Sequence, residues 1–245
     1  MNIIFQLWKE SWHFLYPVRC PICDRPVYTA FGRWEYPICQ ECREVVEYVR
    51  EPACKRCGKP VSDVRAEFCG DCLRQSHVFD QGKALWVYKG DVKRSIYRLK
   101  YSNRREYGIS YGQEIVRVYG GWIREKGIQI ILPIPLHKKR LRQRGFNQAE
   151  IIAEEIGRQM QIPVYGNLLL RCIHTRPQKE LDDKERKNNL KKAFKIAPNN
   201  VQLNHILLVD DIYTTGSTMD GAAGVLKEAG ASRVCFVSVS IGRGY

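Results

Sequence analysis

The sequence predicts an α/β fold, a mostly parallel sheet with flanking helices, preceded by a small N-terminal module that folds around metal. Three observations predict it. Beyond residue 82, continuously apolar strand-like runs alternate with helical segments, the pattern of strands covered by helices on both faces. Eight of the ten cysteines fall in the first 72 residues, as four C-x-x-C pairs. A chain of 245 residues is long enough for one large domain and a small module.

Charge divides along the same line. The chain carries 40 Lys+Arg against 26 Asp+Glu; up to Asp80 the count is 11 against 11, and beyond it 29 against 15. A domain so basic suits a polyanionic ligand, phosphates or nucleic acid. With 44% apolar and 27% charged residues, wholesale disorder is excluded. The longest apolar run, Ile128 to Leu136, is less than half of the roughly 20 residues a membrane helix needs, so no span is expected. The N-terminus carries Lys9 and Glu10 in its apolar stretch and lacks a small-residue cleavage site. It does not read as a secretory signal, and a cytoplasmic protein is expected.

Taken in order, residues 1–17 place Ile3, Ile4, Leu7, Trp8, Ser11, Phe14 and Leu15 at helical spacing. This is an amphipathic helix that docks on the protein, a membrane surface or partner being the alternative. Residues 18–80 hold Cys20/Cys23, Cys39/Cys42, Cys54/Cys57 and Cys69/Cys72. A C-x-x-C turn aims two thiolates at one point, and two turns complete a tetrahedral Zn–S₄ site. Disulfides are the competing reading, but they belong to oxidising compartments. Two structural zinc ions are therefore expected. Sequential pairing of the turns closes the shortest loops and is favoured over interleaving. Four sulfurs leave no open position on the metal, and so short a segment has too little core to fold without it.

Residues 73–81 read as a polar linker, and 81–245 as the α/β domain. KALWVY is a strand, VKRSIYRLKY and the stretch from Arg105 to Lys126 are helices, and IQIILPIP is a strand. AEIIAEEIGRQM is a helix, LLLRCI, AFKIA and HILLVDD are strands, STMDGAAGVLKEAG is a helix and RVCFVSVS a strand. Cys172 and Cys235 lie in strand-like runs and read as small buried hydrophobes. Of the five histidines only His137 stands out from a surface role. The polar stretch from His174 to Lys192 has the length of a lid or a disordered loop.

The most specific segment is ILLVDDIYTTGSTM, Ile206 to Met219. An apolar strand delivers Asp210 and Asp211 at its carboxyl end, where ligands bind in open α/β sheets. Tyr213, Thr214, Thr215, Gly216, Ser217 and Thr218 then turn into a helix, offering amides, hydroxyls and a positive dipole end to a phosphate. Paired carboxylates can accept hydrogen bonds from neighbouring sugar hydroxyls. Strand, acids and hydroxyl-rich turn together describe a ribose 5-phosphate site.

This segment resembles the phosphoribosyl-diphosphate loop of type I phosphoribosyltransferases. Together with LPIPLHKKRLRQRGFNQAE (132–150), TRPQ around Arg176, the Lys100–Tyr101 pair and the four C-x-x-C turns, the chain resembles the ComF family, also described as GntX-like, over nearly its whole length. The resemblance implies a double zinc ribbon followed by a phosphoribosyltransferase-like domain, in proteins of DNA uptake for natural transformation. It implies that Asp210 and Asp211 steady the sugar and any oxocarbenium-like transition state, with Mg²⁺ bridging pyrophosphate and ribose when phosphoribosyl diphosphate binds. It further implies a pyrophosphate or DNA-backbone site made by Lys100 and by the basic loop from His137 through Arg142 and Arg144 to Gly145. Asn147 and Gln148 are ligands there or helix caps, and Arg176 and Gln178 sit where a flexible lid would be. Neutral Thr214 stands where purine-salvage enzymes have an Asp that contacts the base.

Two functions follow. The first is a competence factor whose cleft holds phosphoribosyl diphosphate, or the 5′-phosphate or backbone of single-stranded DNA, with exposed Tyr101, Phe146 or Tyr213 stacking bases. Its neutral ribbons would dock a competence helicase or a recombination mediator. The alternative is an active phosphoribosyltransferase acting on an unknown base.

Overall fold

The computed structural model describes residues 18–27, 37–172, 193–198 and 201–243. The helix expected over residues 1–17, and the segment holding Arg176 and Gln178, lie outside the described residues. In chain order the elements are α1 (Gln40–Val45), α2 (Gly70–Arg74), β1 (Gln81–Val87), α3 (Gly90–Tyr101), α4 (Glu106–Glu125), β2 (Ile130–Pro133), α5 (Lys138–Arg144), α6 (Gln148–Met160), β3 (Leu169–Arg171), β4 (Phe194–Ile196), β5 (His205–Tyr213), α7 (Ser217–Glu228) and β6 (Arg233–Ile241). Among the described residues no helix is long and apolar enough to cross a membrane.

Four strands form an all-parallel sheet in the order β1-β6-β5-β2, and β3 pairs with β4 antiparallel apart from it. Both faces are covered, which is why β5 and β6 are apolar almost throughout. Side chains alternate across β5. Leu207 and Val209 enter the core shared with α3, α4 and α6, whereas Ile206 and Leu208 enter the core shared with α7, β3 and β4.

The two cysteine quartets divide between these cores. Cys20 and Cys42 pack with the first, and Cys54, Cys57 and Cys69 with the second. The segment joining them lies along the free edge of β1: Val49 N–H donates to Leu85 O at 2.8 Å, Val87 N–H to Glu47 O at 2.9 Å, and Gly82 N–H to Arg56 O at 2.7 Å. An exposed strand edge invites pairing with another chain, and here the ribbon segment covers it.

Four expectations need correction. The basic stretch after His137 is the helix α5, not a loop. Lys, Arg, Gln and Leu are good helix formers, His137 Nδ1 accepts from Lys139 N–H at 3.3 Å, and Gly145, at φ 80°, ends the helix in the left-handed region. The strand expected to run to Pro135 stops at Pro133. Cys172 is exposed, while Cys235 is buried as expected. Residues 73–81 are no free linker, because His77 and Phe79 are buried against the end of β5 and the start of α7.

Candidate functional site

Each cysteine quartet is built from two local turns. In the first turn of each, the backbone closes on itself, Asp24 N–H to Cys20 O and Gly58 N–H to Cys54 O, both at 2.9 Å, with Asp24 at φ 63° and Gly58 at φ 76°. In the second, Cys39 and Cys69 are the N-caps of α1 and α2, so Cys42 and Cys72 lie one helical turn on and face the same point. The result is the sequential pairing, Cys20, Cys23, Cys39 and Cys42 in one group and Cys54, Cys57, Cys69 and Cys72 in the other, with all sulfurs of a group within 4.8 Å of one another.

Cys23 Sγ and Cys39 Sγ are 3.8 Å apart, and Cys57 Sγ and Cys69 Sγ 3.6 Å. A disulfide needs about 2.05 Å. A tetrahedron with Zn–S arms of about 2.3 Å has edges of about 3.8 Å. The residues therefore fit a four-sulfur zinc site and exclude the disulfide reading for this state. Metal analysis of the purified chain is expected to give two zinc ions per molecule, with Cys23→Ser or Cys72→Ser reducing the count to one. One zinc per native chain would contradict the geometry.

The second site lies at the carboxyl end of the sheet. β2 stops pairing with β5 at Val209, whereas β6 continues alongside it through Tyr213. That early departure opens a crevice beside Asp210 and Asp211. The cleft, about 650 Å³, gathers Lys100 and Tyr101 from α3, Arg140 and Arg144 from α5, Gln148 from α6, Arg171 from β3 and Thr218 from α7 around the two acids.

Strand alternation sends the neighbouring acids to opposite sides of the sheet. Asp211 turns towards α3 and α6. It forms an ion pair with Lys100 and accepts from Gln148 Nε2 at 3.0 Å, and the Gln148 carbonyl oxygen in turn accepts from Arg144. Burial alone would raise its pKa, but the Lys100 ammonium holds the carboxyl below the usual range. Asp210 starts from the other side, but at the strand end both acids reach the same cleft: Asp210 Oδ1 accepts from Asp211 N–H at 2.8 Å and the two carboxyl groups are hydrogen-bonded. Burial first, and the charge of Asp211 second, push the pKa of Asp210 well above the ordinary value. Asp211 is thus engaged by Lys100 and Gln148, and Asp210 by Asp211.

The hydroxyl-rich turn is fixed from below. Gly216 is the N-cap of α7 at φ 85°, and a Cβ there would lie 2.6 Å from the Tyr213 hydroxyl and 2.7 Å from the His77 ring. Both oxygens of Asp220, in the first turn of α7, are engaged by the chain leaving the second ribbon: Oδ2 with His77 Nδ1 at 2.7 Å and Oδ1 with Val78 N–H at 2.8 Å. Thr214 and Thr215 are exposed, and Thr215 Oγ1 lies 3.0 Å from Ser217 Oγ.

Of the residues expected at the site, Lys100, Arg144, Gln148, Asp210, Asp211 and Thr218 meet in the cleft, whereas His137, Arg142 and Gly145, and from the hydroxyl-rich turn Tyr213, Thr214, Thr215, Gly216 and Ser217, do not line it. Asn147 is a cap: its Oδ1 accepts from Ala149 N–H at 3.2 Å and its Nδ2 donates to Ile134 O at 3.1 Å. Tyr213 is buried and stacks on Phe236 at 4.8 Å; Phe146 is buried too and lines the cleft, with the Arg105 guanidinium 4.7 Å from its ring. Of the three aromatics named for stacking, Tyr101 alone is exposed. Two residues were missed. Arg171 reads as an interruption of an apolar strand, and His77 as a surface histidine, although its side chain is fully buried.

Comparison with known proteins matches the ribbon to a family and finds relatives over most of the chain. The double zinc ribbon domain family matches residues 11–73. Competence protein F of Haemophilus influenzae is 29% identical over 204 residues, 81% of this chain and 82% of that protein. DNA utilization protein YhgH of Escherichia coli K12 is 29% identical over 221 residues, 89% and 94% of the two chains. Competence protein ComFC of Bacillus subtilis is 29% identical over 169 residues, 66% and 67%.

Proposed function

We propose that this chain, a double zinc ribbon protein homologous over most of its length to competence and DNA-utilization proteins, is a competence factor whose cleft holds phosphoribosyl diphosphate or the 5′-phosphate end of single-stranded DNA. The observation that carries this reading is the meeting of Asp210 and Asp211 with Lys100, Arg140, Arg144 and Arg171 in one cleft at the carboxyl end of a parallel sheet. Four cations suit phosphoryl oxygens, and Thr218, in the first turn of a 12-residue helix, lines the same cleft. A carboxylate has no use for a phosphate but does accept from a sugar hydroxyl. Both kinds of group side by side fit a phosphorylated sugar.

Where phosphoribosyl diphosphate brings Mg²⁺ with it, Asp210 is the acid that would hold the ion. The cationic side chains then neutralise the diphosphate, and Asp211 keeps Lys100 and Gln148 in register. A factor of this kind works in the cytoplasm, with its charge-neutral ribbons docking a helicase or recombination mediator and its basic domain meeting the DNA.

Titration of the full chain with fluorescent single-stranded DNA carrying a 5′-phosphate tests the reading. The expected result is binding that weakens steeply with salt, competition by phosphoribosyl diphosphate, and in Asp210→Asn loss of phosphoribosyl diphosphate, the ligand with free ribose hydroxyls. Base-dependent release of pyrophosphate, abolished by the same substitution, would establish the phosphoribosyltransferase reading instead. Binding of neither ligand sinks both.

A further inference from the structure

We propose that α3 continues the cleft as a base-stacking track, with Tyr97 and Tyr101 receiving the first bases of single-stranded DNA outside it. The inference rests on the reading of the cleft as a 5′-phosphate site. Tyr101 lines the cleft and is 65% exposed; Tyr97, one helical turn earlier, is 61% exposed. Their rings lie 4.8 Å apart, inclined at 44°.

Folding does not account for this pair. The helix buries Val92, Ser95, Ile96 and Leu99 on its inner face, which leaves both tyrosines on the outer one. Two large rings are held in water where burial would have been favourable. Cations bracket them. On the cleft side the Arg144 guanidinium lies 5.4 Å from the Tyr101 ring, and at the far end Lys93 and Arg94 are exposed. Arg94, Tyr97 and Tyr101 follow one another at spacings of three and four, so they share a stripe of the helix.

Rings interleaved with cations are the chemistry of sequence-tolerant single-strand binding, because every base has a face to stack and every nucleotide a phosphate. The helix rises about 10 Å from Tyr101 to Arg94, the reach of about two extended nucleotides. Duplex DNA keeps its bases stacked on one another and cannot use such a track.

The test is a length series of 5′-phosphorylated oligothymidylates, from one to six nucleotides, titrated against the full chain at fixed salt. Affinity is expected to climb to about three nucleotides, one in the cleft and two on α3, and then level off. Tyr97→Ala should weaken the trinucleotide about tenfold, the effect of one lost stacking contact. It should leave phosphoribosyl diphosphate binding, read by calorimetry, unchanged, while Tyr97→Phe retains both. Should Tyr97→Ala bind the trinucleotide like the parent while Arg144→Ala does not, DNA occupies the cleft without using α3 and the inference is overturned. Should the parent chain bind phosphoribosyl diphosphate but no oligonucleotide, the DNA half of the underlying reading falls as well.

Discussion

A Cys57→Ser chain is expected to keep one zinc ion and to lose phosphoribosyl diphosphate and single-stranded DNA binding together, although Cys57 does not line the cleft. The reason lies in what the second ribbon supports. Lys59, buried and paired with Asp71 at 2.5 Å, places its ammonium 5.9 Å from the Tyr213 ring. From α2 the chain runs into His77 and Val78, which hold both carboxylate oxygens of Asp220, and into Phe79, edge-on to Tyr213 at 6.1 Å. The turn at Gly216 therefore rests on side chains that the ribbon delivers. A structural zinc site contributes about 10–16 kcal/mol to the folding of such small modules, and no other core in the ribbon replaces it.

His77→Ala separates the metal from the turn it supports. This variant should retain both zinc ions while its affinity for phosphoribosyl diphosphate falls about tenfold, since one buried hydrogen bond to Asp220 is lost and its acceptor left unpaired, a loss of about 1–3 kcal/mol. A colorimetric zinc assay and calorimetry on the same sample read the two quantities independently. Unchanged affinity in a Cys57→Ser chain that holds a single zinc would show that the turn stands without the ribbon.

What could be read from the chain beforehand follows from how local each interaction is. The cysteine quartets were legible because ligand spacing is set within a few residues of chain, and shorter loops decided the pairing. The strand before Asp210 was legible because burial on both faces leaves it apolar throughout. α5 was misread because five cations in seven residues suggest a solvated loop, while the caps that make it a helix, His137 and Gly145, lie just outside the run. Arg171 had no local signal. It reaches the cleft because β3 pairs with β4, a contact fixed by tertiary packing. The division of labour between Asp210 and Asp211 was present in the sequence: neighbours on a strand face opposite ways, and parity with Leu207 and Val209 assigns Asp211 to the α3 and α6 side. That argument needed only the strand to extend past the acids, which it does, to Tyr213.

Lys100→Met should be among the most destabilising single substitutions at the cleft. The Asp211 side chain is only 5% exposed, and Lys100 is its one cationic partner among the described ion pairs. Removing one member of a buried pair strands the other, at a loss of about 3–5 kcal/mol from a total stability of about 5–15 kcal/mol. Adding Asp211→Asn should restore most of it, because the amide oxygen still accepts from Gln148 and no charge is left uncompensated. Thermal unfolding of the two single variants and the double at neutral pH measures the coupling; a Lys100→Met midpoint equal to the parent's, or no recovery in the double, would count against the pair. Acid should act in the same direction. The carboxyl of Asp211 is held below its unfolded value, so its contribution is complete above that value and is lost as the pH falls through the folded one. Asp210 runs oppositely: its raised pKa makes protonation favour the folded state, and its charge opposes folding once the pH rises through that value. Asp210→Asn should therefore melt higher than the parent at neutral pH while losing phosphoribosyl diphosphate. On the proposed function, an acid whose charge opposes folding is kept in the cleft for its ligand.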